Sequence, residues 1–250
     1  MDTLLTIKAC IKGYGAEIVK DHYKQIWNSV KFEVIQPSDE SVVDGALEVI
    51  TSLAECISTT QEVERFSVAV SEEAARQSRD FDTKQCSRGG QLVLASARSS
   101  RSICANISGI LFPDILKAYH SALTEKRDLG FMYVINSLLT AISIVCKDVY
   151  ATNDAFSCLR DNNDFLISLY LDKIEPESII KSIEGNFEDS KIKGIQTTSE
   201  HYQIALLGLQ SMISIPEFLS QIEISNVFVT ILKSTLEESN ESKRYVVQNK

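Results

Sequence analysis

Tryptophan occurs once in these 250 residues, proline four times and histidine three times, and the six cysteines form no CxxC pair. Ten glycines and four prolines exclude collagen-like and low-complexity chains. The thiols Cys10, Cys56, Cys86, Cys104, Cys146 and Cys158 are dispersed. Dispersal excludes a disulfide framework and a ferredoxin-type ligand run, and leaves buried thiols of a reducing compartment. Positive charge is also short: 25 Lys and Arg stand against 34 Asp and Glu, for a net charge of −9. Binding to duplex phosphates or anionic lipid requires a basic face that displaces counterions, so neither nucleic acid nor membrane is expected as a direct partner. No apolar run approaches the roughly 18 residues of a membrane span, and the longest, Leu138 to Cys146, carries Thr140 and Ser143. The opening MDTLLTIKACIKGYG lacks the apolar core and cleavage site of a signal peptide. The expected locations are the cytoplasm and nucleus.

Strand signals are absent as well, with no Asn-Gly or Asp-Gly hairpin and no sustained period-two alternation. What is present is helical periodicity. From Ala16 to Val34, the positions Val19, Tyr23, Ile26, Trp27, Val30 and Val34 form one apolar stripe. Pro37 stops that helix, and Ser38 is the expected N-cap of the next, which buries Val42, Ala46, Leu47, Ile50, Leu53, Ala54 and Ile57. Thr59-x-x-Glu62 and Thr197-x-x-Glu200 read as capping boxes. Further stripes cover Ile103–Tyr119 (with Pro113 as a bend), Leu129–Cys146, Phe156–Leu171, Ile204–Ile215 and Val227–Leu236. An all-α chain of about ten helices is expected.

Spacing turns these stripes into a repeat. Pro37 through Leu47 has the form of a turn and second helix of a HEAT unit, with an acidic residue at the turn and then aliphatic and small side chains. Phe81-Asp82 through Leu92 is a second copy about 44 residues on, a third stripe surrounds Val134, and a fourth covers Glu200 to Leu209. Gly45, Ala46, Gly89, Gly90, Ala205 and Gly208 fall where helix layers would meet. The expected architecture is a HEAT-type α-solenoid of stacked antiparallel helix pairs, one array over 1–250, with an inserted loop at 173–198 and a charged tail at 237–250. Neither end carries the polar cap of a solenoid, so a fragment of a longer array is expected. Leu4, Leu5, Ile7 and Ile11 would then lack an upstream partner.

Candidate chemistry is sparse. His22, His120 and His201 lie on different helices without a Cys or His four residues away, so no metal site is expected. Cys86-Ser-Arg-Gly89-Gly90 lacks the GKS/T ending of a phosphate loop. Glu72-Glu73 and Glu237-Glu238 are adjacent and diverge by about 100° on a helix, which suits solvated faces rather than paired catalytic carboxylates. No catalytic residue, cofactor or metal ligand is assigned, and no enzyme activity is expected. Ala97-Arg98-Ser99-Ser100-Arg101-Ser102 reads as an interhelix turn, with phosphorylation or an acidic partner segment as its sharper use. Trp27, at stripe spacing, reads as core.

Several segments taken together resemble one family. Ile7 to Gly15, Ile26-Trp27, Lys31 to Val34 and Ala46-Leu47 are similar to a stretch of the MMS-nineteen nucleotide excision repair and transcription regulator family. So are Ser87 to Ala97, Ile110-Leu111-Phe112-Pro113, and Ile204 to Leu219; residues 173–198 depart from the pattern. The resemblance implies a non-enzymatic adaptor of cytosolic iron–sulfur targeting. Its implied partners are assembly factors and apo iron–sulfur clients of DNA repair, replication and transcription. No binding residue is carried over. A transport- or ubiquitin-ligase-related HEAT adaptor, or a small helical enzyme, are the alternatives.

Overall fold

The computed structural model describes residues 2–80, 82–124, 128–146, 156–174 and 191–233, with side chains 2, 83, 120–124 and 191–198 outside the description. Every regular element in that set is helical, as the periodicity predicts. The chain divides into two compact units, Met1–Asp161 and Asn162–Lys250.

In the first unit, α1 spans Asp2–Ile35 but is interrupted at Gly15, whose φ of 70° and ψ of −179° are open to glycine and costly for any L side chain. The apolar stripe read from Ala16 onward is therefore the second segment of α1. A 3₁₀ turn at Glu40–Val42 leads into α2 (Val43–Ile57); α3 (Val63–Gln77), α4 (Thr83–Ala97), α5 (Arg101–Thr124), α6 (Asp128–Val145) and α7 (Ser157–Arg160) follow. Consecutive helices pair as α1/α2, α3/α4 and α5/α6, and like members stack, α2 on α4 on α6 and α3 on α5.

Contacts at long and regular separation establish the repeat. Lys31 pairs with Glu73 at a separation of 42, Arg88 with Glu40 at 48, and Arg98 donates to Thr51 at 47. Along α2 and α4, Glu40 meets Arg88 while Thr51 meets Arg98, so these helices run parallel. The α4–α6 step continues that register, with Gly130 against Cys86 and Gly90 against Tyr133 and Ser137. Parallel stacking of antiparallel pairs is the helical-repeat geometry expected from sequence.

Small residues set the layer spacing. A Cβ on Gly90 would lie 2.6 Å from Ser137 Oγ and 2.9 Å from the Tyr133 carbonyl, and one on Gly89 would lie 2.8 Å from Gln77 Cβ. Gly130, not singled out in the sequence, is tighter still, at 2.5 Å from the Ser78 carbonyl. Leu4 approaches Gly45, so this residue of the apolar first segment packs onto α2, while Leu5 is exposed.

Two acidic caps mark equivalent turns. Asp39 accepts from the Ser41 amide and Asp82 from the Lys84 amide, each at 2.9 Å. Asp39, not Ser38, is thus the cap; Ser38 instead reaches Glu33. Neither predicted capping box forms. Glu62 is the N-cap of α3 without a side-chain cap bond, and Thr60 Oγ1 accepts from the Glu62 amide.

Helix α6 corrects a further expectation. Asp128–Val145 reaches the length and mean hydropathy of a membrane span, 18 residues at 1.6, although no such run was read from the sequence. Two-thirds of that window (67%) is buried within the fold, against α4 and α5, which is the place of a core helix. The continuation of α5 through Pro113 to Thr124 keeps this layer helical.

The second unit holds α8 (Asn163–Leu171), a helix over Lys191–Ser214 that packs on it, and helical residues 221–233. The helix from Lys191 enters the segment expected to be a loop, and Thr197-x-x-Glu200 lies inside it rather than at its start. Lys, Ile and Gln suit a helix interior, and the single Gly194 costs too little to break it. The rest of the expected insert, and the 237–250 tail, lie outside the described residues. A reciprocal capping box occurs instead at Ser220-x-x-Glu223: the Ser220 amide donates to Glu223 Oε2 at 2.6 Å and the Glu223 amide to Ser220 Oγ at 3.2 Å.

Candidate docking groove

The second segment of α1 and helix α3 run parallel, yet their backbones stay apart. Aromatic bulk at the base props them open. Trp27 stacks edge-on against Phe66 with centroids 5.6 Å apart, and Tyr23 does the same at 6.3 Å. Between the helices lies an open groove of about 700 Å³. Tyr23 and Trp27 on one side, and the half-exposed Val68 and Ala69 on the other, give it an apolar floor. A side chain longer than alanine at position 69 would fill it.

The ends of the groove are closed by charge. Glu73 is 5% exposed and accepts from Gln77 Nε2 at 2.7 Å and Lys31 Nζ at 3.1 Å, and it also pairs with Arg76. Burial pushes its carboxyl upward, but the Gln77 and Lys31 hydrogen bonds together outweigh that and hold it below the ordinary carboxylate range. Glu73 therefore departs from the solvated face expected of Glu72-Glu73; only Glu72 is exposed. At the other end, Arg65 pairs with Glu62 at 3.1 Å, and burial followed by the nearby Glu62 charge raises the Tyr23 phenol.

Three further charges line the rims. Lys24 on α1, and Glu64 and Glu72 on α3, are exposed and make no ion pair among the described residues. The Lys24 ammonium sits 5.9 Å from the Tyr23 ring. Lys24 thus faces Glu64 and Glu72 across an apolar floor without neutralising them, while Lys31, Arg65 and Arg76 in the same lining are already paired.

The other sequence candidates scatter. His22 is exposed, His201 is half-buried in the second unit, and the His120 side chain lies outside the described set. No group of three or more His, Cys, Asp or Glu converges among the described residues. Cys86, Cys104 and Cys146 are buried as expected, whereas Cys10 is exposed and Cys56 and Cys158 are partly so. Cys86 through Gly90 lies within α4, with both glycines against neighbouring helices, so no phosphate loop exists there. Residues 98–100 form the α4–α5 turn and Arg101 and Ser102 open α5; Arg98 Nη2 donates to Thr51 Oγ1 at 3.1 Å, and the Ser100 and Ser102 hydroxyls are 2.9 Å apart.

Sequence reasoning placed Trp27 in the core, where it is 3% exposed, but missed that it also floors a groove. The available signal was the opposed stripes Tyr23-Trp27 and Val68-Ala69, which become facing only once the parallel register is known.

Residues 1–36, which contain the whole of α1, match the family described as Dos2-interacting transcription regulator of RNA-Pol-II. The curated MMS19 nucleotide excision repair protein homologs of Bos taurus, Homo sapiens and Mus musculus are each 25% identical to the chain over 146 residues. That alignment covers 53% of this chain and 14% of each relative, so the chain spans a small part of the proteins it matches. No solved structure matches. The similarity to the MMS-nineteen family expected from the sequence is shown by both comparisons.

Proposed function

With that family similarity as premise, we propose that the chain is a non-enzymatic docking scaffold of the cytosolic iron–sulfur targeting machinery, acting in cytoplasm and nucleus. It holds apo proteins of DNA repair, replication and transcription beside the factors that deliver their clusters. The observation that carries this role is the open groove between α1 and α3, set in a stack of parallel helix pairs. A helical-repeat surface binds through contacts distributed over several helices and turns, and its affinity comes from shape, apolar area and rim charge.

The groove supports such use physically. Its floor offers apolar area, its ends are fixed by the Glu73 and Glu62 pairs, and its rims keep charges available for a partner. Rim charges govern partner choice and association rate more than affinity. The test is co-elution of the purified chain with purified cytosolic iron–sulfur assembly factors and with an apo iron–sulfur client. Co-elution with either supports the role. Failure with both, or binding to nuclear transport receptors or ubiquitin-ligase subunits instead, overturns it.

A further inference from the structure

Beside the paired Arg65 and Arg76, the groove carries charges of opposite sign without an ion pair among the described residues, Lys24 on α1 against Glu64 and Glu72 on α3, which restricts what can lie there. From this juxtaposition we propose, resting on the docking role above, that the groove receives an amphipathic α-helix of a partner protein. That helix carries basic residues about two turns apart on one flank and an acidic residue on the other.

The walls exclude an extended peptide first. Both are α-helices, whose backbone N–H and C=O groups are already bonded within the helix. An extended segment pressed onto Trp27, Val68 and Ala69 would bury its own amides with no backbone partner on either side. A helix satisfies its backbone internally and presents only side chains, which is the helix-in-groove mode of recognition. The groove volume of about 700 Å³ holds a row of apolar side chains from a helix lying across its mouth, not the whole helix.

Charge sets the pattern. Glu64 and Glu72 stand on the α3 rim about 12 Å apart along the helix axis, so their complements are Lys or Arg at positions i and i+7 or i+8. Lys24 lies on the opposite rim near the Glu64 end, because Tyr23 there adjoins Glu62 while Lys31 adjoins Glu73 at the far end. Its complement is an Asp or Glu on the other flank, level with the first basic residue. Large apolar residues occupy the face between the flanks. Reversing the rims would place like charges opposite one another and select against such a helix.

The test uses the full chain and a phage-displayed library of helical peptides without tryptophan. Trp27 is the only tryptophan of the protein and lines the groove, so its emission reports occupancy. Enriched peptides are expected to show the basic, apolar and acidic stripes, and to alter Trp27 emission. They should bind Ala69→Arg at least tenfold more weakly. The double variant Glu64→Lys, Glu72→Lys should lose them too, and should recover binding to peptides whose basic positions are changed to glutamate. That recovery shows that the variant is folded.

Enriched peptides without the charge pattern, binding indifferent to Ala69→Arg, or no enrichment at all would overturn the proposal. The docking role is judged separately. If assembly factors or clients still bind Ala69→Arg at full strength, the groove assignment fails while the scaffold stands; if they do not bind the unmodified chain, the scaffold itself fails.

Discussion

Glycine at position 90 has no room for a methyl group, because Ser137 Oγ and the Tyr133 carbonyl already occupy the space. The carbonyl belongs to a helix backbone and cannot swing aside. Gly90→Ala should therefore destabilise the protein by about 1–3 kcal/mol, read as a lower urea midpoint. Gly109→Ala is the contrasting change: nothing lies within 4 Å, and the site is inside α5, so stability should rise by about 0.5–1 kcal/mol. Equal midpoints for the two variants would mean that α4 and α6 do not meet at Gly90. Glu73 gives a pH prediction at the same scale. A carboxyl whose folded value is depressed stabilises the fold above its unfolded value, near 4.5, and that contribution is lost as pH falls through the depressed value. Glu73→Gln should lose stability at neutral pH, by about 1–3 kcal/mol, and show a flatter decline below pH 4.5 than the unmodified protein. Parallel acid-unfolding curves would contradict the burial and pairing of Glu73. The tight glycines Gly89 and Gly90 were legible in the sequence because a repeat places small residues at its seams. Gly130 was not, since its crowding comes from the Ser78 carbonyl and Cys86, which only the α4–α6 register brings to it.

Helix ends were read less well than helix bodies, and the reason lies in how caps work. A Ser or Thr followed three residues later by Glu occurs by chance, and only the backbone angle at the first residue makes it a cap. At 59–62 the chain places the N-cap at Glu62, and at 197–200 it is already helical, while the working box at Ser220–Glu223 fell between two stripes and drew no notice. The acidic turns were legible because Asp39 and Asp82 recur at the same place in the repeat. Asp82→Ala should cost about 0.5–2 kcal/mol in thermal or urea unfolding, and Asp82→Asn should retain most of the cap. A loss as large for asparagine as for alanine would remove the capping role. The break in α1 carries its own prediction. At the dihedral angles of Gly15 an L side chain is strained, so Gly15→Ala should destabilise by about 1–3 kcal/mol even though no atom lies within 4 Å. An unchanged midpoint would mean that the two segments of α1 can rejoin as one straight helix without loss.

At the scale of the molecule, helix pairs stack in the first unit with α2, α4 and α6 in one layer, and that arrangement is visible in the sequence as a 44-residue spacing. The groove was not visible, because it depends on a failure of packing: Trp27, Tyr23 and Phe66 hold α1 and α3 apart where α3 and α5 close up. No local pattern announces such a gap. The docking claim meets its most direct test in hydrogen exchange on the full chain, alone and with a bound assembly factor or apo client. The account predicts new protection concentrated in residues 23–31 and 64–76, the two walls of the groove. Binding that leaves both walls exchanging as in the free protein would contradict it.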